Sequence, residues 1–347
     1  MIIAISCHNM ARYNLAITLP LLYHKCTFER AMQRRMKEVS QGNRPKRKPL
    51  RREQKVLLAV AMVFVVYIFA FCYVPIAGWG LSVFRYKPAF GLNFAKQKFV
   101  GLDNFVRIWN ERSEVLRVLR NTLALSALGL ICSPLPMILA ILFSELRSKK
   151  YMSFVQTVTT FPNFISWIIV YGVCYTIFSN TGVWANAVYA LTGQKQVMGF
   201  LSNVNTAWGF QTFLGQWKGL GWNAIIYCAA IAGIDDTLYE AAKIDGANRF
   251  QQIWHVTLPG LKDTFFVLFL LSISNILSSG FDHYFVFNNP MVSDKLMVLD
   301  LWTYQLGIGQ ADYSYSIAVG IIRTFVSLIL LFTANGISKK IRGYSIV

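Results

Sequence analysis

Residues 235–260 read DDTLYEAAKIDGANRFQQIWHVTLPG, a polar stretch rich in start and stop signals set between two long apolar ones. Thr237 followed three residues later by Glu240 has the spacing of a capping box, in which each side chain satisfies an orphan backbone N–H at a helix start. A short helix is therefore predicted to begin there. Leu238, Ala241, Ala242 and Asp245 continue it, and Gly246 can take the left-handed conformation that ends a helix. Asn248 can cap a second turn carrying Phe250, Ile253 and Trp254, and Pro259 closes the segment. The product is a compact helix-turn-helix elbow; an amphipathic loop lying on a membrane surface would draw on the same residues.

Outward from the elbow the chain is too apolar for an ordinary water-soluble domain: 55 % of its 347 residues are hydrophobic and 14 % are charged. A spanning helix needs about twenty apolar residues to cross roughly 30 Å of hydrocarbon. Six segments qualify, Val56 to Leu81, Asn121 to Phe143, Phe154 to Phe178, Thr206 to Ile234, Thr264 to Phe287 and Tyr313 to Ile337. The expected fold is thus all-α and polytopic, with a basic tail at 1–55, a transmembrane body at 56–347 and the elbow at 235–260. Gln211, Gln216, Lys218 and Asn223 make the fourth segment the least apolar. Pro134 and Pro136 should break the second, and Gly215, Gly219 and Gly221 allow close packing or a bend in the fourth.

The formal charge of +18 is largely a property of the tail, since thirteen of the 34 Lys and Arg residues precede Val56. Beside a hydrophobic segment such a tail sets topology or touches anionic lipid, so no nucleic-acid partner is expected. With the N-terminus inside, 22 basic residues fall on the cytoplasmic side and 10 outside, which places both termini in the cytoplasm. The exception is the first external loop, with Arg85, Lys87, Lys96, Lys98, Arg107, Arg112, Arg117 and Arg120. Residues 11–23 are too short and too interrupted to span, no cleavage site follows them, and Met32 or Met36 is a candidate natural start.

Chemistry-bearing constellations are missing from the sequence. The six cysteines form no C-x-x-C pair and the four histidines are scattered, so neither a disulfide framework nor a metal site is expected. No Gly-Lys dipeptide occurs, which excludes a G-x-x-x-x-G-K-[ST] phosphate loop. No Ser-His-Asp, paired-carboxylate or H-E-x-x-H arrangement stands out, so the chain is not expected to be an enzyme and no catalytic residue is assigned.

Glu240-Ala241-Ala242, three residues, Gly246, nine residues, Val256, one residue and Leu258-Pro259 together resemble the EAA signature of binding-protein-dependent ABC importer permeases, with Val256 in place of the usual isoleucine. The resemblance implies a six-helix MetI-like permease of the bacterial inner membrane whose elbow docks in a cleft of a cytoplasmic ATPase. On that reading Glu240 and Asp245 supply charged contacts or caps, Ala241 and Ala242 permit close approach, Gly246 sets the bend, and Leu258 and Pro259 complete the motif. Tyr86-Lys87-Pro88, VGLDNF (100–105), WKGLGWNAIIY (217–227), FDHYFVFNNP (281–290) and the GYSIV end are similar to carbohydrate-type permeases, in the branch of complex oligosaccharide and polysaccharide importers. The implied partners are a second permease in a heterodimer, two ATPase subunits that bind ATP and Mg, an extracytoplasmic solute-binding protein and membrane lipid. This chain itself would hold no cofactor.

Polar side chains inside a membrane are costly and usually face the bundle interior or a wet path. They nominate Asn163, Trp167, Gln216, Trp217, Lys218, Trp222, Asn223, Asn275, Asp282, Tyr284 and Arg323 as the solute path, because aromatic faces beside amides and hydroxyls suit sugars. Interface anchoring and interhelical hydrogen bonding would use the same residue types. Lys218 and Arg323 can pair with carboxylates such as Asp282, snorkel outward, or face an anionic sugar. An ion-coupled secondary transporter is the alternative in a different class.

Overall fold

The computed structural model describes residues 52–91, 97–193 and 199–342; residues 1–51 of the basic tail with its candidate start sites, Lys96, Lys195 and the GYSIV end lie outside them. Two compact units follow one another in the chain, up to Tyr73 and from Val74 onward. In the first, α1 (Arg52–Ile68) passes into a π-turn at Phe69–Tyr73, with Tyr67 and Phe71 in ring contact at 4.7 Å.

The second unit starts with a 3-10 segment (Val74–Val83) and a two-stranded antiparallel hairpin, β1 (Phe84–Arg85) and β2 (Lys98–Phe99). Helices α2 (Asp103–Asn110), α3 (Arg112–Ile131), α4 (Leu135–Ser144), α5 (Lys149–Thr160), α6 (Trp167–Phe178), α7 (Val183–Thr192) and α8 (Ala207–Ala232) follow. The elbow is α9 (Asp236–Ile244) and α10 (Arg249–Gln252), and α11 (Leu258–Ser274) continues from it. A short-helix insertion, α12 (Phe281–Phe287), α13 (Ser293–Leu296) and α14 (Leu299–Tyr304), precedes the last helix, α15 (Tyr313–Arg342). Among the described residues, five stretches are long and apolar enough to cross a membrane: Glu53–Val83, Arg112–Ser144, Trp167–Thr192, Arg249–Ser274 and Tyr313–Gly336. The remaining expected span, the fourth, is α8, which has 26 residues and so reaches about 39 Å. Its polar side chains lower its hydropathy, and it serves as the spine of the molecule.

Three apolar clusters explain that role. Ala224 and Tyr227 of α8 pack with Ala140, Ile141 and Phe143 of α4 and Leu261 of α11. Further along, Ala207, Phe210 and Leu214 pack with Val170 and Cys174 of α6 and with Phe287, Val292 and Leu296 of the insertion. The third cluster joins Val118 and Leu125 of α3 to Trp302 and Leu306, and to Tyr315 and Val319 of α15. Buried amide and hydroxyl groups fix this junction: Asn121 Nδ2 donates to the carbonyls of Asp294 (2.7 Å) and Met297 (3.2 Å), and Thr122 Oγ1 accepts the Leu299 N–H at 2.9 Å.

Several segments differ from the sequence expectation for definable reasons. The second span begins at Arg112, nine residues before the expected Asn121, and is broken at 132–134 as the prolines require. The third is not one helix. Pro162 ends α5 in a 3-10 turn (Phe161–Phe164), and Ser166 caps a new helix by accepting the Ile169 N–H at 3.4 Å. The fifth runs from the elbow and stops at Ser274, where the chain unwinds toward Gly280 (φ 88°) before α12. Asp282 and Tyr284 therefore sit on a separate short helix, not on the fifth span.

Candidate coupling elbow and solute path

The elbow forms as expected but starts differently. Asp235, not Thr237, is the N-cap: its carboxylate accepts the Thr237 N–H at 3.0 Å, and α9 begins at Asp236. Thr237 and Glu240 consequently lie at the second and fifth positions of α9, where their side chains cannot act as a reciprocal box. Hydrogen bonds from Thr237, from its backbone first and then its side chain, hold the Asp235 carboxyl below the usual carboxylate range. At the other end Gly246 takes φ 79°, the Ala247 N–H reaches the Ala242 carbonyl (2.9 Å) and the Gly246 N–H that of Lys243 (3.1 Å). That pair of bonds is a Schellman motif, which satisfies the last carbonyls of α9.

Asn248 then opens the second leg through a true capping box: its Oδ1 accepts the Gln251 N–H (2.9 Å) while Gln251 Oε1 accepts the Asn248 N–H (2.8 Å). Gln252 Nε2 donates to the Ala247 carbonyl at 2.8 Å, tying the turn to the leg. Pro259 does not close the elbow. It lies within a helical stretch continuous from Arg249 to Ser274, preceded by a π-turn at Ile253–Thr257 that accommodates the ring and the missing N–H. Tyr239 Oη and Thr257 Oγ1, 2.9 Å apart, link α9 to that turn.

The signature residues divide by exposure. Glu240, Ala241, Asp245, Gly246 and Pro259 are exposed, whereas Ala242 is half-buried and Leu258 packs partly into the core between α4 and α8. Ala242, Asp245, Gly246, Ala247, Gln251 and His255 line a concavity of about 290 Å³. Around it Ile244 is 87 % exposed, Phe250 72 % and Trp254 58 %, the last two stacked at 6.4 Å. Such an apolar rim with a polar notch is the profile of a docking surface.

Several nominated path residues meet across two cavities. The larger, about 470 Å³, lies among α3, α8, α11 and α12 and is lined by Ser126, Gln216, Asn223, Ser272, Asn275 and Tyr284, among others. None of its lining side chains is ionisable apart from tyrosine. The second, about 430 Å³, is bordered by Trp79, Asn275, Ser278 and Arg323. Asn275 and Ser278, in the unwound stretch after α11, border both.

Other nominated residues are structural. Lys218 is buried and donates to the carbonyls of Asn163 (2.7 Å), Ile165 (2.7 Å) and Pro162 (3.3 Å), so it satisfies the broken helix end before α6 and does not meet Asp282. Asn163 contributes a backbone oxygen there. Trp167 lies 5.4 Å from the Lys218 ammonium and stacks on His283 at 3.7 Å. Arg323 pairs with Asp300, which also accepts the Ser279 N–H at 3.0 Å. Trp217 and Trp222 are exposed, Trp222 meeting Phe164 edge-on at 5.8 Å, and Asp282 is exposed on α12. The buried His283–Gln211 hydrogen bond (2.7 Å) and the Asp300 bridge carried no sequence signal, because their partners are 72 and 23 residues away.

Comparison with known proteins agrees with this geometry. Residues 133–343 match the family described as binding-protein-dependent transport system inner membrane component. The polygalacturonan/rhamnogalacturonan transport system permease protein YteP of Bacillus subtilis is 37 % identical over 83 % of this chain and 89 % of its own length. Protein LplB of the same organism is 36 % identical over 83 % and 90 %. Among solved structures, a bacterial ABC transporter involved in import of the acidic polysaccharide alginate superposes with TM-score 0.73 at 31 % identity, covering 84 % of this chain and 97 % of that one. The same kind of transporter, in complex with an alginate pentasaccharide-bound periplasmic protein, superposes with TM-score 0.75. An elbow of this construction between the fourth and fifth spans, on a MetI-like helical body, identifies the chain as a multi-pass inner-membrane permease subunit of a binding-protein-dependent ABC importer, a family whose ATP hydrolysis resides in separate subunits.

Proposed function

We propose that this permease forms one half of the translocation path for an oligosaccharide or polysaccharide fragment handed over by an extracytoplasmic binding protein. A second permease completes the path as a heterodimer, and two cytoplasmic ATPases bind ATP and Mg and drive it. Both termini and the elbow lie on the cytoplasmic side, with the tail at 1–55 preceding the transmembrane body at 56–347 in the chain. Glu240, Ala241, Ala242, Asp245 and Gly246 meet the ATPase, while Leu258 and Pro259 anchor the elbow to the fifth span.

The observation that carries the solute class is the extent of similarity to permeases named for polyuronide and related saccharide transport, over more than four-fifths of both chains. The larger cavity supports it, because hydroxyl and amide donors with a tyrosine match the hydrogen-bonding edge and apolar face of a sugar. Gln216, Asn223, Asn275 and Tyr284 are the residues placed to meet the solute; Trp167, Lys218 and Arg323 hold the path in shape. Asn163 holds Lys218 through its carbonyl, and Trp217, Trp222 and Asp282 are exposed at positions that a partner permease would cover.

The test is ATP-dependent uptake by the reconstituted complex with its loaded binding protein. Accumulation of labelled oligosaccharide with ATP, and none under an imposed proton or sodium gradient alone, is the expected result. A binding protein that copurifies with an amino acid, phosphate or metal in place of a saccharide would overturn the solute class.

A further inference from the structure

We propose that α2 lies flat in the outer interface of the bilayer, with Leu102, Val106 and Trp109 in the acyl boundary and Arg85, Lys98 and Arg112 on anionic lipid phosphates. The two faces of α2 are differently committed. Its inner face is locked: Asn104 Nδ2 donates to the Ser82 carbonyl (2.6 Å), Ile108 packs against the core joining α3 to α15, and Arg107 pairs with Glu111 (2.8 Å) and Asp312. The Arg107 guanidinium also sits 4.1 Å over the Tyr315 ring. Ser82 stands at the end of the stretch Glu53–Val83, Glu111 just before Arg112–Ser144, and Asp312 and Tyr315 at the start of Tyr313–Gly336, so these partners hold α2 at the depth where hydrocarbon gives way to headgroups.

The outer face has no cover among the described residues. Leu102 is 67 % exposed, Val106 55 % and Trp109 71 %, and helical spacing of three and four residues sets them in one stripe. Phe99, also 67 % exposed, extends the stripe at one end, and Leu116 on α3, 60 % exposed, extends it at the other toward the spanning surface. A short helix with one apolar stripe and a tryptophan is what an interfacial segment requires.

Charge specifies which lipid. Arg85 and Lys98 stand directly opposite one another in the hairpin ladder, an arrangement of like charges that works against strand pairing. Among the described residues, ion pairs to carboxylates form at Arg107, Arg117 and Arg120 of this external region, and none forms at Arg85, Lys98 or Arg112. Lipid phosphates at the same depth neutralise all three. The excess of cations outside, contrary to the usual topology bias, then has a use.

The full importer complex in nanodiscs tests this, with nitroxide labels on cysteines introduced singly at Leu102, Asp103, Val106, Trp109 and Asn110. Oxygen should reach labels at Leu102, Val106 and Trp109 better than a water-soluble nickel chelate does, with the order reversed at Asp103 and Asn110. Nickel access at every position, or shielding from both reagents as a protein partner would give, overturns the proposal. Hydrogen exchange across 102–110 should slow about threefold when phosphatidylglycerol replaces phosphatidylcholine, an order-of-magnitude expectation for added headgroup attraction. The Arg85→Gln, Lys98→Gln, Arg112→Gln triple variant should lose that lipid dependence while keeping the oxygen pattern. Equal exchange of the unsubstituted protein in both lipids would overturn the phosphate contacts.

Discussion

Gly221 on α8 faces the carbonyl of Thr159 so closely that a Cβ at that position would lie 2.2 Å from the oxygen. The obstacle is backbone, which cannot swing aside as a side chain can. Gly221→Ala should therefore push α5 and α8 apart and cost about 1–3 kcal/mol or more. A lowered melting temperature of the purified complex checks this, and unchanged stability would mean the crossing is looser than described.

Lys218, one turn earlier on α8, meets the break that follows α5. In Lys218→Met, the Asn163 and Ile165 carbonyls lose their Lys218 donor, at about 1–3 kcal/mol for each group left unsatisfied, while the Pro162 carbonyl keeps the Ile165 N–H. Stability should fall, and uptake of charged and neutral saccharides should fall together. A selective loss for acidic saccharides would instead give Lys218 direct contact with solute.

Asp300→Asn and Arg323→Gln should each destabilise the protein, and the double change should recover most of the loss. Breaking a buried pair costs about 3–5 kcal/mol, and 26 % exposure of the Arg323 side chain puts this one toward the lower end. The recovery is the informative measurement, since an arginine needed by the solute would not be rescued by removing its carboxylate partner.

At the elbow, no atom of the chain lies within 4 Å of a Cβ placed on Gly246, so within the chain substitution there acts through its φ of 79°. Gly246→Val should abolish coupling between nucleotide hydrolysis and uptake, with strain of about 1–3 kcal/mol. Gly246→Asn, which tolerates left-handed backbone, should retain it. Comparing ATPase activity with uptake in the two variants separates backbone geometry from side-chain bulk.

Asp235 gives the elbow a defined acid sensitivity. Its folded pKa is depressed, so its contribution is fully present above the unfolded value, about 3.9, and is lost as pH falls through the folded pKa. Exchange at Thr237 and Leu238 amides, corrected for intrinsic rate, should be flat from pH 6 to 8 and rise only in strong acid. Asp235→Ala should show fast exchange at neutral pH.

Much of this was legible in the sequence because its signals are local. The elbow's glycine stop and its Asn248 start announce themselves within a few residues, and so does the break at Pro134 and Pro136. The cap was misjudged because Asp235 and Thr237 are both good caps two residues apart, and spacing alone favoured the one with a glutamate three residues on. Hydropathy ran α5 into α6 and α11 into α12 because it registers apolar content and not the unwound backbone at Pro162 and Gly280. The tertiary partners were beyond reach: Lys218 is satisfied by carbonyls, which every residue carries, and Asp300 looks like any loop carboxylate.

The helical stretch from Arg249 to Ser274 carries a mechanical consequence. Twenty-six residues at 1.5 Å each make a lever of about 39 Å, with the docking leg at one end and Ser272 beside the cavity at the other. A swing of roughly 10° at the elbow would carry the far tip about 7 Å, more than the width of a sugar hydroxyl contact. The π-turn at Ile253–Thr257 lies close to the driven end, so any bend there is multiplied by the roughly 26 Å of helix beyond it, and the stroke delivered to the path depends on that turn staying stiff.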